Sequence, residues 1–205
     1  KGLDSEKGGS IEQEIGSDGY LRTSVGYNSG IMKNGWGISV AGSYKRGDGW
    51  VDQTWTKGFF YYLKLDKKLG NHVISLSAYG APQSHAQRSY KLPIGVYDSA
   101  YAENLGIDLS YEPGMDPSDS LIVYQNRRIS DEGIGRGVRF NQHWGYLART
   151  RNNPDAERKV LNERVHKYHK PQITLKDFWT VNQNLYISNI AYLSIGNGGG
   201  VREKN

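Results

Sequence analysis

The chain has 205 residues, of which 37% are hydrophobic, and 26 lysine and arginine residues against 21 acidic ones give a formal charge of +5. The basic residues are scattered along the chain, which argues against a nucleic-acid-binding surface. The lack of cysteine excludes disulfides, thiolate metal sites and cysteine nucleophiles. No run of about 18 apolar residues occurs that would predict a transmembrane helix.

The first third of the chain alternates between apolar and polar residues. Residues 1–8 are charged and contain glycine, which is typical of a linker from a preceding domain. Weak alternation over 9–16 predicts a first strand. Two longer alternating runs then flank Met32-Lys33-Asn34-Gly35. Because Asn-Gly supplies the positive φ of a tight turn, residues 20–45 are predicted to form an antiparallel hairpin.

The pattern continues after this hairpin, with one long interruption. Further strands are predicted at 59–65, 72–80, 172–179 and 185–195, which makes about seven in all. Between them, 81–168 loses periodicity and is predicted to be a long loop with a short helix near 117–127. The glycine-rich segment 196–200 lacks the features of a phosphate-binding loop and is interpreted as flexible.

Short turns and long loops alternate along the predicted strands. The connections at 32–35, 66–71 and 181–184 are short, whereas those at 46–58 and 81–168 are long. Apart from the short turn at 17–19, which lies on the long-loop side, short turns therefore gather at one end of the sheet and long loops at the other, as in outer-membrane β-barrels. A soluble β-sandwich also alternates apolar and polar residues, so alternation alone leaves that architecture open.

Aromatic residues fall near both ends of the predicted strands. Those at the long-loop end are Tyr20, Tyr44, Phe59 and Tyr79, and those at the short-turn end are Trp36, Trp179 and Tyr186. Two such rows are typical of the interfacial girdles of membrane barrels, although a soluble core could also hold these rings. The residues predicted to face lipid are Leu21, Val25, Trp36, Ile38, Val40, Ile74 and Leu76.

No arrangement of residues predicts covalent chemistry, so no catalytic residue is assigned. His166 and His169 lie three residues apart but lack an acidic third ligand at a recognisable spacing, so no metal site is predicted. Aromatic and polar residues at the long-loop end suit stacking on a sugar or peptide and hydrogen bonding to it. These candidate ligand contacts are Trp50, Trp55, His85, Gln87, Arg88, Trp144 and Tyr146.

Several segments resemble one family, the SusC-type TonB-dependent transporters of Bacteroidetes outer membranes. Residues 1–9 resemble the exit from the plug domain, 30–36 the first periplasmic hairpin, and 47–52 the loop after it. The segment from Ala78 to Arg88 is the most similar, with His169-Lys170-Pro171-Gln172-Ile173 and 196–200 in support.

This resemblance implies a segment of a transmembrane antiparallel β-barrel of about 22 strands. Residues 1–8 would link an absent plug domain to a partial barrel at 9–205, with 81–168 as an extracellular loop. The implied function is outer-membrane import of glycans or peptides with a SusD-like surface lipoprotein, energised by TonB through the plug. No cofactor is implied. Outer-membrane lipid and the remaining strands are further partners, because open strand edges are not stable in lipid.

Two other hypotheses stay open from the sequence. In the first, the chain is a soluble extracellular β-rich module whose aromatic residues stack on carbohydrate. In the second, it is an enzyme that uses acidic residues of 81–168.

Overall fold

The computed structural model describes residues 6–88, 91–107, 109, 133–146 and 160–201. These are all-β, with 61% in strands and two short helices. None of the described helices has the length and apolarity needed to cross a membrane. In chain order the elements are β1 (Gly8–Ile15), β2 (Leu21–Ile31), β3 (Trp36–Gly47), β4 (Thr56–Leu69), β5 (His72–Gly80), β6 (Gln83–Ala86), α1 (Ile94–Tyr97), α2 (Ser99–Asn104), β7 (Trp144–Tyr146), β8 (Val160–Asn162), β9 (Val165–His169), β10 (Gln172–Asn182), β11 (Leu185–Ser194) and β12 (Asn197–Val201).

The seven longest strands form one antiparallel sheet in the order β1-β2-β3-β4-β5-β10-β11. They are the seven strands that alternation predicts, and this prediction is confirmed. In the turn between β2 and β3, Gly35 has a φ of 76° and its amide donates to the Met32 carbonyl at 2.8 Å. A side chain is strained at such a φ, so the glycine after Asn34 specifies the hairpin.

The two faces of this sheet have opposite compositions, because residues paired in register lie on the same face. We call one face the apolar face. One row across it holds Tyr27, Val40, Leu63, Ala78, Ile173 and Leu193, and the next holds Ile38, Leu65, Leu76, Leu175 and Ala191. The opposite, polar face holds Ser39, Lys64, Ser77 and Thr174 in one row and Asp66, Ser75 and Lys176 in the next, and on β11 these two rows end in the apolar residues Tyr192 and Ile190. All seven residues predicted to face lipid lie on the apolar face.

Short strands extend the sheet at its long-loop end. The first residues of β4 pair with β6 instead of β5, β6 also pairs with β9, and β9 pairs with β12. The order β4-β6-β9-β12 thus repeats β4-β5-β10-β11. Pro171 lies in the break between β9 and β10, where its missing amide costs no ladder hydrogen bond.

The interpretation of 196–200 as a flexible segment is wrong. Residues 197–201 form β12 and pair in register with β9, from Asn197 opposite His169 to Val201 opposite Val165. Glycine side chains give no alternation, so the sequence pattern could not reveal this strand. Pairing with a long-range partner fixes it instead.

The described residues divide into two compact units. The first holds the seven-stranded sheet and its extension, in the described parts of 1–48, 55–85 and 165–201. The second holds the described parts of 49–54 and 86–164, including α1, α2 and the β7-β8 pair. Its core consists of Leu92 and Val96, against which Tyr97, Leu109 and Phe140 pack. The helix predicted near 117–127 lies outside the described residues.

Candidate functional site

A pocket of about 760 Å³ lies in the first unit, beside the junction of β5 with β6 and the junction of β9 with β10. We call it the rim pocket. It is lined by Tyr44, Lys57, Gly58, Phe59, Pro82, Gln83, Ser84, Val165, Lys167, Tyr168, His169, Asn197, Gly198, Gly199, Gly200 and Val201.

The strand register places the pocket on the same side of the sheet as the apolar face. Tyr44 and Phe59 are directly paired, and both are about half exposed. Lys57, two residues before Phe59 in β4, pairs with Ser84 of β6. Because side chains alternate along a strand, these four residues project on one side, and Lys167 and His169 share a side in the same way.

A hydrogen bond joins His169, which lines the pocket, to Tyr61 of β4. The Tyr61 hydroxyl lies 3.0 Å from Nε2 of His169, and the two rings meet edge to face. The nearby Gly80 leaves room for this contact, because a Cβ there would lie 2.5 Å from the Tyr61 hydroxyl oxygen. The absence of a side chain at residue 80 therefore lets the side chains of Tyr61 in β4 and His169 in β9 make contact.

The charge of the pocket is positive. Lys57 and Lys167 both line it, and no aspartate or glutamate is among its described lining residues. The Lys57 ammonium also lies 5.6 Å from the centroid of the Trp55 ring, a cation–π geometry. The Ser84 hydroxyl oxygen is buried and has no hydrogen-bond partner among the described residues. Ammonium groups beside aromatic rings suit non-covalent binding of an anion.

The histidines near the pocket do not converge. His85 stacks on His166 with ring centroids 5.6 Å apart, whereas His169 contacts Tyr61. His166 and His169 are separated by an odd number of positions in β9, so their side chains point to opposite faces. In the described part of the chain, no three histidine or acidic side chains are grouped to hold a metal ion.

The sequence-predicted ligand contacts fall into both units. Trp55 and His85 belong to the first unit. Trp50, Gln87, Arg88, Trp144 and Tyr146 belong to the second. In the second unit, Trp144 and Tyr146 form an edge-to-face pair at 5.6 Å, and Trp50 is half exposed. The backbone amide of Gln87 donates to the backbone carbonyl of Arg164 at 3.1 Å.

Arg88 is engaged within its own unit. Its Nη1 donates to the carbonyls of Val138 at 3.1 Å and Phe140 at 2.9 Å, and its guanidinium lies over the Tyr97 ring at 4.9 Å. These contacts hold the 138–140 segment beside the small core of this unit. The side chain thus has a structural task besides any contact with a ligand.

No protein-family model matches the chain, and comparison with curated proteins and with solved structures also found no match.

Sequence reasoning missed most of the residues that line the rim pocket. Tyr44 and Phe59 were noted as strand-end aromatics, but Lys57, Ser84 and Lys167 were not singled out. One signal was available. In β4, the positions Leu63, Tyr61, Phe59 and Lys57 change from aliphatic to aromatic to cationic at every second residue.

Proposed function

We propose that this chain is a segment of a transmembrane antiparallel β-barrel in the outer membrane, within an importer of large nutrients such as glycans or peptides. The single observation that carries the membrane assignment is the inverted burial of the seven-stranded sheet. Its apolar side chains are exposed, whereas its buried side chains are polar.

The burial contrast is large within single strands. Asp66 of β4 is 3% exposed, whereas Leu63 in the same strand is 44% exposed. Likewise Thr174 of β10 is 6% exposed between Ile173 and Leu175, which are about half exposed. Every buried hydrophobic residue that the structure describes lies at Ala86, Leu92, Val96 or Ala102, outside the seven long strands.

Such a sheet in water would leave most of its hydrophobic stabilisation unused. Half-exposing a large aliphatic side chain forgoes about 1 kcal/mol, so a dozen of them forgo on the order of 10 kcal/mol. Seven strands about 4.8 Å apart and about 27 Å long make an apolar face of roughly 800 Å², larger than monomers in water usually expose. Lipid acyl chains are an environment in which this face is stable.

The height of the apolar face fits a bilayer. On β3 it runs from Trp36 to Tyr44, a stretch in which polar-face residues alternate with Ile38 and Val40. These nine positions match the roughly 9 to 11 residues that a tilted barrel strand needs to cross the hydrocarbon layer. The Lys67 ammonium lies 4.9 Å from the Trp36 ring centroid, so a ring and a cation meet at the short-turn end. Interfacial anchors commonly combine these two groups.

The polar face would line the lumen. There Lys64 pairs with Asp66 at 2.8 Å, and Ser75 and Thr174 are buried nearby in the register. In the described residues, β1 and β11 are the two ends of the main strand order, which leaves each with one edge for another strand. Further barrel strands would fill both edges. Import, the SusD-like lipoprotein partner and TonB-driven opening of a plug follow from the sequence resemblance.

The test is fractionation of the native source, followed by mass spectrometry of the intact polypeptide that contains Ala78 to Arg88. The proposal predicts extraction only with detergent, from outer membranes, together with a surface lipoprotein. A folded species that stays in buffer without detergent would overturn the membrane assignment and favour the carbohydrate-binding module. Membrane extraction without a lipoprotein or a transported ligand would retain the barrel and reject the importer.

A further inference from the structure

Two strand lines, on either side of the β5-β6 line, change from apolar to cationic in the same direction and end in the same pocket. Along β4 towards its first residue, Leu63 is followed at every second position by Tyr61, Phe59 and Lys57. Along the β10-β9 line, Leu175 and Ile173 lead to His169 and Lys167 beyond the break at Pro171. Both lysines therefore lie at the edge of the apolar face that is at the long-loop end of the sheet.

The rim pocket combines features of a phosphate site and of an apolar groove. Two ammonium groups offer hydrogen-bond donors, and no carboxylate is among the described lining residues. Below them, Tyr44 and Phe59 present half-exposed rings that continue into the exposed apolar face. A ligand that matches this order has an anionic phosphate at one end and a long apolar part at the other.

We propose that the rim pocket binds the phosphate headgroup of an anionic membrane lipid, whose acyl chains lie along the apolar face. This inference rests on the membrane location proposed above. Lys57 and Lys167 contact the phosphate, and the rings of Tyr44 and Phe59 pack against the upper acyl region. A bound lipid thereby joins β4 to the β9-β12 extension.

The test uses the full-length polypeptide in nanodiscs of phosphatidylcholine that contain a minority of phosphatidylglycerol. After transfer to detergent, native mass spectrometry counts the phosphatidylglycerol molecules that stay bound. The K57Q/K167Q variant should retain about 30-fold less phosphatidylglycerol than the unmodified protein, since each of the two lysines near a membrane surface contributes about 1 kcal/mol. The K33Q/K68Q variant removes the same charge from exposed positions away from the pocket and should retain the normal amount. K57R/K167R keeps both charges and should restore retention, which separates loss of binding from misfolding.

Three results would overturn the inference. Equal loss in K57Q/K167Q and K33Q/K68Q would mean that general surface charge holds the lipid. Displacement of the lipid by millimolar inorganic phosphate would mean that the pocket binds free phosphate. Lack of retained phosphatidylglycerol in a protein that inserts normally into nanodiscs would reject the lipid site alone, whereas failure to insert would reject the membrane proposal itself.

Discussion

The hydroxyl of Tyr61 lies 3.0 Å from Nε2 of His169, although the two residues are 108 positions apart in sequence. This contact joins the middle of β4 to the strand that extends the sheet beyond the Pro171 break. His169 lines the rim pocket, and its contact with Tyr61 connects an early hairpin to the last third of the chain.

Replacing Tyr61 with phenylalanine removes this hydrogen bond and leaves the ring. We expect the free energy of unfolding to fall by about 1 kcal/mol, the usual net value of such a bond. Urea unfolding in detergent micelles measures it. The matched control is Tyr62→Phe on the opposite face, whose hydroxyl has no hydrogen bond among the described residues. Equal effects of the two substitutions would show that the bond to His169 contributes nothing.

Replacing Gly80 with alanine should destabilise the same contact sterically. The new Cβ would lie 2.5 Å from the Tyr61 hydroxyl oxygen and 2.8 Å from Nε2 of His169, closer than real Cβ atoms approach. Overpacking of this kind typically costs about 1 to 3 kcal/mol. Hydrogen exchange of the β9 amides would report the loss as faster exchange. The control is Gly8→Ala, where a Cβ meets nothing within 4 Å. Unchanged exchange in β9 would contradict the predicted clash.

Replacing Val40 with arginine places a charge at the middle of the apolar face. In a barrel in lipid, the cost is about 2 to 4 kcal/mol at the midplane and about 0 to 1 kcal/mol near the interface. Tyr44→Arg should therefore cost much less than Val40→Arg. Arginine at the neighbouring Ser39, on the polar face, should also be mild. Unfolding measured in lipid vesicles gives the three values, and equal costs at 40 and 44 would argue against lipid contact.

Replacing Arg88 with alanine should loosen the 138–140 segment of the second unit. The substitution removes two hydrogen bonds from Nη1 to backbone carbonyls and the stacking on Tyr97, a loss of about 1.5 to 3 kcal/mol. Arg88→Lys should not restore stability, because an ammonium cannot reproduce the planar fork. Limited proteolysis should detect faster cleavage near Val138, with Lys91→Ala at an exposed position as the control. Normal protection of this segment in Arg88→Ala would show that Arg88 does not stabilise residues 138–140.

Alternation was enough to predict the seven long strands because the polarity of most side chains in them matches the face on which they lie. Val40 and Leu76 lie on the apolar face for that reason, and their neighbours Ser39 and Ser77 lie on the other. The short strands β6 and β9 have too few residues to show a period, and the glycines of β12 have no side chains to alternate. Their positions depend on pairing between distant segments, which the local sequence does not encode.

The site was harder to predict for the same reason. His85, a predicted ligand contact, is not among the described lining residues of the pocket, and Lys57 and Lys167 come together only through the β4-β6-β9 pairing. Arg88 looked like a ligand contact because arginine often binds polar ligands. Its hydrogen bonds to Val138 and Phe140 depend on how a distant segment packs.

The most direct test of the membrane assignment is a cysteine scan from Trp36 to Tyr44, and the 205 residues of this chain contribute no competing cysteine. Each thiol would carry a nitroxide label in the full-length protein in vesicles, and its collisions with oxygen and with a water-soluble nickel chelate would be compared. The account predicts a two-residue period, with labels at 36, 38, 40, 42 and 44 reached by oxygen and shielded from nickel. Free access of nickel to the labels at 38 and 40 would contradict a lipid-facing sheet.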